Sequence, residues 1–467
     1  MSAKAKFQNT LYINDNLYVL LGLDSESVDL IYLDPPFNSK RMYSAPVGSK
    51  AAGVSFKDMW TWQDVDEYNL DSLAVDNLEL TKFIAGVGRI HGKAMMSYLT
   101  YMAQRIVEMR RILKNTGTLY LHCDPTASHY LKIMLDCIFG KSNFQNEIIW
   151  RRTTAHNTTS RRFGFLTDSV FFYSKTGKYF FNPPRSPEHK KEYSSKAYRH
   201  KDADGRVYRM HLVERNAALG IRPNLIYKYK GYTPKWGWMM EREKLEKLDA
   251  EGKLIWNSNG TPQRKIYLDE VDKPVLGDLW DDIQNVQSGK ESIGYPTQKP
   301  LELLKRIISA SSNPGDIVLD PFCGCATTCV AATQLSRKWV GIDIEKKASD
   351  ILTHRLSLAT GLLDDFIITD KIPSRSDLKV VQPTEPVKQR LYKKQKGLCN
   401  ACGNTFEIRN LEIDHIIPKS KGGGDYYENY QLLCGSCNRI KGDRPMEYLR
   451  AKMATIEKAR GRVFFGE

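Results

Sequence analysis

The sequence predicts an α/β protein: a largely parallel sheet with crossover helices, interrupted by a basic insertion and followed by a small zinc-type module. Three observations predict it. Short apolar runs alternate with helix-period segments over residues 28–175 and again over 300–358, as in strands joined by crossover helices. Two of the runs close on Asp-Pro, at Asp34 and Asp320, so each strand meets a rigid turn. Near the end, Cys399, Cys402, Cys434 and Cys437 form two C-x-x-C pairs, the spacing of a structural zinc site.

The elements follow in order. Residues 28–33 (VDLIYL) read as a buried strand. A helix over 95–113 is stopped at Asn115-Thr116-Gly117, then comes a strand over 118–123. A helix over 128–139 is closed by Gly140, and strands follow at 146–152 and 170–175. Residues 182–235 are basic, irregular and rich in Pro, Tyr and Arg, and read as an insertion. A charged helix spans 241–251, and Pro300 suits the first helical position ahead of 301–312. The α/β pattern then returns: strand 316–319, turn 320–325, helix 326–335, strand 338–342 ending at Asp343, and helix 346–358. Residues 371–386, with Pro373, Pro383 and Pro386 among polar neighbours, read as a linker.

The chain has 467 residues, enough for about three domains. With 41% hydrophobic and 26% charged residues it is neither disordered nor fibrous. No apolar run nears the roughly 18 residues of a membrane span, and the first residues are polar with no apolar signal core. The expectation is therefore a protein that is not exported, in the cytoplasm. The odd total of nine cysteines fits a reducing compartment better than a disulfide framework. Lys and Arg exceed Asp and Glu by 69 to 54, which points to a polyanionic partner. The excess is local. Residues 150–235 hold 19 basic against 6 acidic side chains, a net of +13, and 387–467 hold 16 against 9, a net of +7, leaving the remainder at −5. A charge run alone is often a solvated face. Here 15 aromatics are interleaved in the first stretch, which suits phosphate neutralisation and base stacking.

Two motifs carry chemistry. Asp34-Pro35-Pro36-Phe37 sets a carboxylate, a proline-fixed carbonyl and an aromatic ring within four residues. An exocyclic amino group has two N–H donors, which the Asp34 carboxylate and the Pro35 carbonyl can both accept while Phe37 stacks on the ring. The plainer reading is a strand-ending turn. Residues 316–326 (DIVLDPFCGCA) form a strand, a turn of small residues and a helix start, where backbone can approach a ligand. Asp343 follows Asp320 by 23 residues, the place where nucleotide-binding α/β folds hold ribose hydroxyls. A plain strand-to-helix connection would look similar.

Together the motifs resemble the S-adenosylmethionine-dependent DNA amino-methyltransferases that act on adenine N6 or cytosine N4. The catalytic motif precedes the cofactor motif with a basic region between, as in the beta class, a circularly permuted Rossmann-like sheet. The resemblance covers about residues 11–365. It implies a core whose catalytic half is 1–149 and whose cofactor half is 291–370, with target recognition and the return to the core in 150–290. It further implies that Asp34, Pro35, Pro36 and Phe37 grip a base flipped from double-stranded DNA. S-adenosyl-L-methionine would lie against Asp320, Pro321, Phe322, Cys323, Gly324 and Asp343, with Asp15 on its adenine side. Thr297 and Lys299, in Tyr295-Pro296-Thr297-Gln298-Lys299-Pro300, would lie beside its methionine part. Adenine N6 is favoured, because Asp heads the catalytic motif, with cytosine N4 left open. The sequence departs from the pattern at Asn14, where Gly is usual, at Phe37 for Tyr, and at Ala326, where Gly is frequent and little loss is expected. Cys323, Cys325 and Cys329 read as small-residue packing, and His122 and His129 as structural. Lys40 and Arg41 either touch the strand that carries the flipped base or are solvated.

Between the cysteine pairs lie Ile413-Asp414-His415-Ile416-Ile417-Pro418, three glycines at 422–424, and Asn429; Asn438 and Lys441 follow Cys437. This resembles the HNH endonucleases, with a ββα-metal fold, over about residues 391–444 within a domain of 387–467. The resemblance implies structural Zn²⁺ on the four cysteines, His415 as general base, and Asp414 and Asn438 as ligands of a catalytic Mg²⁺. Asn429 would orient His415, and Lys441 would help with phosphate charge. A basic helix over 446–460 would add DNA contacts. The expected whole is a methyltransferase joined to a nuclease in a prokaryotic or phage setting, nucleoid-associated, with a homodimer implied by the family. The alternative is a solitary methyltransferase whose zinc domain only binds DNA.

Overall fold

The structure, a computed structural model, describes residues 9–37, 41–45, 49, 51, 55–58, 77–153, 161, 163–186, 198–271, 273–286, 291–360, 366–444, 446, 448–449 and 452–453. Strand β1 (Asn9–Ile13) leads to helix α1 (Asn16–Gly22) and β2 (Val28–Leu33). An antiparallel pair, β3 (Arg41–Ser44) and β4 (Ser55–Asp58), precedes α2 (Leu78–His91) and α3 (Lys93–Ile112). Then come β5 (Leu113–Cys123), α4 (Ser128–Phe139), β6 (Phe144–Arg151) and β7 (Thr167–Ser174).

The chain divides into two compact units, one made of Pro183–Gly277 and the other of everything else. In the smaller unit β8 (His200–Lys201), β9 (Val207–Leu212), β10 (Leu254–Trp256) and β11 (Pro262–Tyr267) form an antiparallel sheet in the order β10-β11-β9-β8. Helix α5 (Arg242–Ala250) and the sheet enclose a small core of Val213, Trp238, Leu245 and Leu254. The stretch expected to be irregular is therefore a folded unit. The range 150–290 also holds β7 and β12 (Leu279–Trp280), and both belong to the main sheet.

The larger unit resumes with α6 (Leu301–Ser311), β13 (Ile317–Asp320), α7 (Thr327–Gln334), β14 (Lys338–Asp343), α8 (Lys347–Thr360) and β15 (Phe366–Thr369). Nine strands align as β12-β6-β7-β5-β2-β13-β14-β1-β15, and β7 alone runs against the rest. Crossover helices cover both faces, so the inner strands are apolar on both sides and read as continuous apolar runs. Leu99, Met102, Ala103, Ile106 and Met109 of α3 pack on one face; Leu303, Leu304, Ile307 and Ile308 of α6 pack on the other. Asp29, the polar interruption in β2, accepts the Ile317 N–H at 2.9 Å and the Lys114 ammonium at 2.7 Å, tying β2 to β13 and β5. Pro300 caps α6 from outside, in extended backbone, instead of occupying its first turn.

At the C-terminal end, α9 (Glu385–Lys394) precedes β16 (Leu411–His415), β17 (Tyr430–Cys434) and α10 (Gly435–Lys441), a ββα unit with its own core. Lys40, the Arg41 side chain and most of the expected helix over 446–460 lie outside the described residues. Among the described residues, no helix is long and apolar enough to cross a membrane.

Candidate active site and zinc-binding module

The parallel strands β1, β2, β13 and β14 end at one edge of the sheet, so Asp15, Asp34, Asp320 and Asp343 converge there. They line a cavity of about 1040 Å³, with Thr297, Lys299, Tyr295 and residues 321–325. Parallel strands ending at the same edge explain the convergence: Asp320 and Asp343 are the last residues of β13 and β14, Asp34 follows β2 directly, and Asp15 stands two residues beyond β1.

Asp34 is held from one side only. Lys299 donates to its Oδ2 at 2.5 Å and lies 5.5 Å from the centroid of the Phe37 ring. The other oxygen, Oδ1, is buried and has no hydrogen-bond partner among the described residues. A buried unpaired carboxylate oxygen is costly, so it marks a place for a donor. Phe37 stacks on His122, with ring centroids 6.2 Å apart. His122 is buried, sharing one nitrogen with the Tyr32 hydroxyl at 3.0 Å and the other with Asp168 at 3.1 Å. Burial raises the Tyr32 phenol well above its usual range.

The loop after β13 is built for close approach. Gly324 takes φ +50°, and a β-carbon on it would come within 3.0 Å of the Tyr295 hydroxyl oxygen. Its N–H donates to Asp343 Oδ2 at 2.7 Å, and the Glu345 N–H donates to Oδ1 at 2.8 Å. Asp320 accepts the Thr328 hydroxyl at 2.5 Å and the Phe322 N–H at 3.1 Å. Burial pushes Asp320 up to about 7 and Asp343 up to about 6. Asp15 caps α1 by accepting the Leu17 N–H at 2.8 Å and pairs with Arg105 at 2.9 Å. Asn16 donates to the Pro321 carbonyl at 2.8 Å, joining α1 to this loop. Ala326 adopts left-handed backbone, φ +60°, at the cap of α7, a conformation that costs an L-residue about 1–2 kcal/mol. The alanine methyl is thus accommodated against its backbone preference.

In the C-terminal module the ligand atoms of Cys399, Cys402, Cys434 and Cys437 all lie within 4.8 Å of one another. Tetrahedral zinc with Zn–S of about 2.3 Å needs sulfurs roughly 3.8 Å apart, so the set fits. His415 Nε2 meets Asp425 Oδ1 at 2.8 Å. Asp425 also pairs with Lys419 at 2.7 Å, and these two partners hold its carboxyl down at about 2.

Residues 28–354, well over half the chain, match the family described as DNA methylase. The chain belongs to that family. Residues 399–444 match the HNH endonuclease family, so the methylase carries an HNH domain. A Type II methyltransferase, M.EcaI of Enterobacter cloacae, is 32% identical over 368 residues, covering 77% of this chain and 72% of that protein. The Type III restriction-modification enzyme StyLTI Mod subunit of Salmonella typhimurium is 27% identical over 355 residues, 72% of this chain and 51% of that protein. Among solved structures, the M1.HpyAVI-SAM complex aligns with 17% identity and a TM-score of 0.36, covering 74% of this chain and 98% of that one.

The geometry redraws several expectations. Lys299, expected beside the cofactor, lines the cavity and also grips Asp34. Asn429 does not reach the His415 ring: its amide bonds the Ile417 carbonyl at 3.1 Å, the Gly424 carbonyl at 3.0 Å and the Ile417 N–H at 2.8 Å. It fixes the loop after His415, and Asp425 holds the ring. Lys441, expected near phosphate, is 1% exposed and spends its ammonium on Asp414 at 3.0 Å and the His415 carbonyl at 2.8 Å. Asp414 also accepts from Gln431 at 2.7 Å, and Asn438 donates to Glu412 at 2.6 Å. Arg105, Asp168, Glu412 and Asp425 escaped the sequence reading. No spacing marks them, because each meets its partner only through tertiary packing or a loop.

Proposed function

We propose that the protein is a site-specific DNA amino-methyltransferase that uses S-adenosyl-L-methionine on a flipped base, adenine N6 in preference to cytosine N4. The observation that carries this is Asp34, which lines the cavity beside Phe37 and whose buried Oδ1 has no hydrogen-bond partner among the described residues. Asp34 Oδ1 and the Pro35 carbonyl accept the two amino N–H groups, Phe37 stacks on the base, and Pro36 stiffens the turn. Holding both N–H groups directs the nitrogen lone pair away from the ring and toward the donor side of the cavity. The nitrogen gains a methyl and sheds a proton, for which Asp34 is the nearest acceptor. Asp343 takes ribose hydroxyls, Asp15 the adenine side, and Thr297 with residues 320–324 lines the rest. S-adenosyl-L-methionine, when bound there, supplies the electrophilic methyl group.

Residues 150–290 act in target recognition, and the folded unit Pro183–Gly277 with its basic surface meets phosphates. Residues 387–467 form the nuclease domain. Zn²⁺ held by the four cysteines would fold it, Asp414 and Asn438 would hold a Mg²⁺ that offsets charge at the scissile phosphate, and His415, oriented by Asp425, is the base for the water that cuts or nicks the strand. The enzyme works in the cytoplasm on the nucleoid, as a homodimer. Because Asp414 and Asn438 are each engaged by other side chains, a second reading stands beside it: the module binds DNA without cutting.

The test incubates the protein with labelled donor and duplex DNA, followed by nucleoside mass spectrometry. N6-methyladenine in wild type and none with Asp34→Ala is expected. Transfer by Asp34→Ala would refute the assignment. Plasmid nicking with Mg²⁺, lost in His415→Ala, decides between the two readings of the module.

A further inference from the structure

Residues 371–386 have the composition of a free linker, yet residues 370–377 lie as a strap along α1. Asp24 accepts the Ser376 N–H and the Ser376 hydroxyl, each at 2.5 Å, and the Asp377 N–H at 3.3 Å. Asp377 accepts the Ser25 N–H at 3.1 Å, and Arg375 donates to the Ser25 hydroxyl at 3.0 Å. Pro373 sits so close to α1 that a β-carbon on Gly22 would stand 2.0 Å from the Pro373 carbonyl oxygen.

The other side of the strap holds the HNH domain. Ser374 donates to the Gly422 carbonyl at 2.7 Å, and a β-carbon on Gly422 would stand 2.5 Å from the Ile372 carbonyl oxygen. Ile372, Tyr18 and Ile417 form one buried apolar cluster, with Leu21 packed against it. Ile417 is the residue that Asn429 clamps, two positions after His415. The loop behind His415 is thus seated directly on α1.

Helix α1 also reaches the donor cavity. Asp15 at its cap lines that cavity, and Asn16 holds the Pro321 carbonyl. Asn14 makes a second link: its N–H donates to the Asp343 carbonyl at 2.9 Å and its side chain to the Asp370 carbonyl at 2.8 Å. One asparagine therefore spans from the strand end at Asp343 to the first residue of the strap.

We propose that occupancy of the donor cavity and docking of the HNH domain are linked through α1, Asn14 and the strap. A ligand on Asp15, Asp343 and the 321–324 loop restrains Asn14 and the N-terminal end of α1. The far side of the same helix carries Ile372, Pro373 and Ile417, so the strap and the loop after His415 become harder to open. Linkage is reciprocal, so undocking weakens donor-site binding by the same factor. The inference rests on the cavity being the donor site.

The test uses the full chain with S-adenosylhomocysteine, an unreactive occupant of that cavity. Calorimetry measures its binding, and amide hydrogen exchange is followed over residues 370–377 and 416–424. Exchange there should slow about fivefold or more on binding, the lower range of allosteric coupling. The Asp24→Ala/Ser376→Ala double variant should lose most of this response and bind several-fold more weakly. Binding that leaves exchange in both segments unchanged overturns the linkage alone. Absence of binding overturns the donor-site reading and the linkage with it.

Discussion

With Asp343 assigned to the donor as proposed, donor binding should be pH-dependent, and the size of the effect follows from the surroundings of its carboxyl. It is pushed from 3.8 up to about 6 by burial, although two backbone N–H groups hold its oxygens. A carboxyl raised in the folded state keeps its proton more readily there than in the unfolded chain. Its contribution to stability is present below pH 4 and is lost as pH rises through about 6, costing the empty protein about 3 kcal/mol at neutral pH. Ribose hydroxyls need the ionised form as acceptor, so a donor competes with that proton. The apparent Kd then scales as one plus ten to the power of pKa minus pH. From pH 7.5 to pH 5 it should rise about tenfold, or about 1.4 kcal/mol. Asp320, pushed up to about 7 on the same cavity, adds to the slope. Asp343→Asn should bind more weakly at every pH and lose about one tenfold step of the pH dependence. Titration calorimetry with S-adenosylhomocysteine across that range checks it. An unchanged slope in Asp343→Asn, or a flat wild-type profile, would refute the assignment of Asp343 to the donor.

Two further outcomes follow from single contacts. Lys299→Met strips the one partner that Asp34 has among the described residues from a carboxylate that is 16% exposed, and should lower the methyl-transfer rate about a hundredfold with donor Kd within about threefold. Lys299→Arg should restore part of the rate, and a loss confined to donor affinity would return Lys299 to the donor. Cys434→Ser removes one of the four sulfurs in the zinc-type cluster. It should release the metal seen by elemental analysis and make residues 387–444 sensitive to protease, whereas undiminished metal content would count against the site.

What the sequence made legible depended on how much of a segment's fate is local. Strands β2, β13 and β14 could be read because they are apolar on both faces, and α4 was bounded by its own Ser128 and Gly140. Their ends supplied Asp34, Asp320 and Asp343, so much of the cavity rim was legible too. The sheet of the smaller unit was not. In β9, VYRMHL, five residues are half-buried and one is exposed, so no period-two contrast survives. Strand β1 was missed because NTLYI is neither a continuous apolar run nor a clean alternation, helix α1 because seven residues are too few for helical periodicity, and Arg105 on α3 completes their setting. Side-chain type marked Asn429 and Lys441 as polar anchors, yet both bond protein groups other than those expected. Lys299 and Asp34 are 265 residues apart, and tertiary packing of α6 and β13 on β2 brings them together.

The chain order has a physical consequence for where a second domain can attach. Sheet geometry requires only that β2 and β13 be neighbours, and they pair in parallel whichever comes first in the chain. With the catalytic strand first, the cofactor half is completed last, and its final strand β15 pairs with β1 at the sheet edge. The chain therefore leaves the sheet at Asp370, within hydrogen-bond reach of Asn14 and directly before α1. Any domain added after β15 with a short connector meets that helix first. The opposite order would end the chain beyond a catalytic half, away from β15. Fusion of an HNH domain at this end thus sets it against α1, whose cap residue Asp15 lines the cavity, with the polar connector docked between them as a strap.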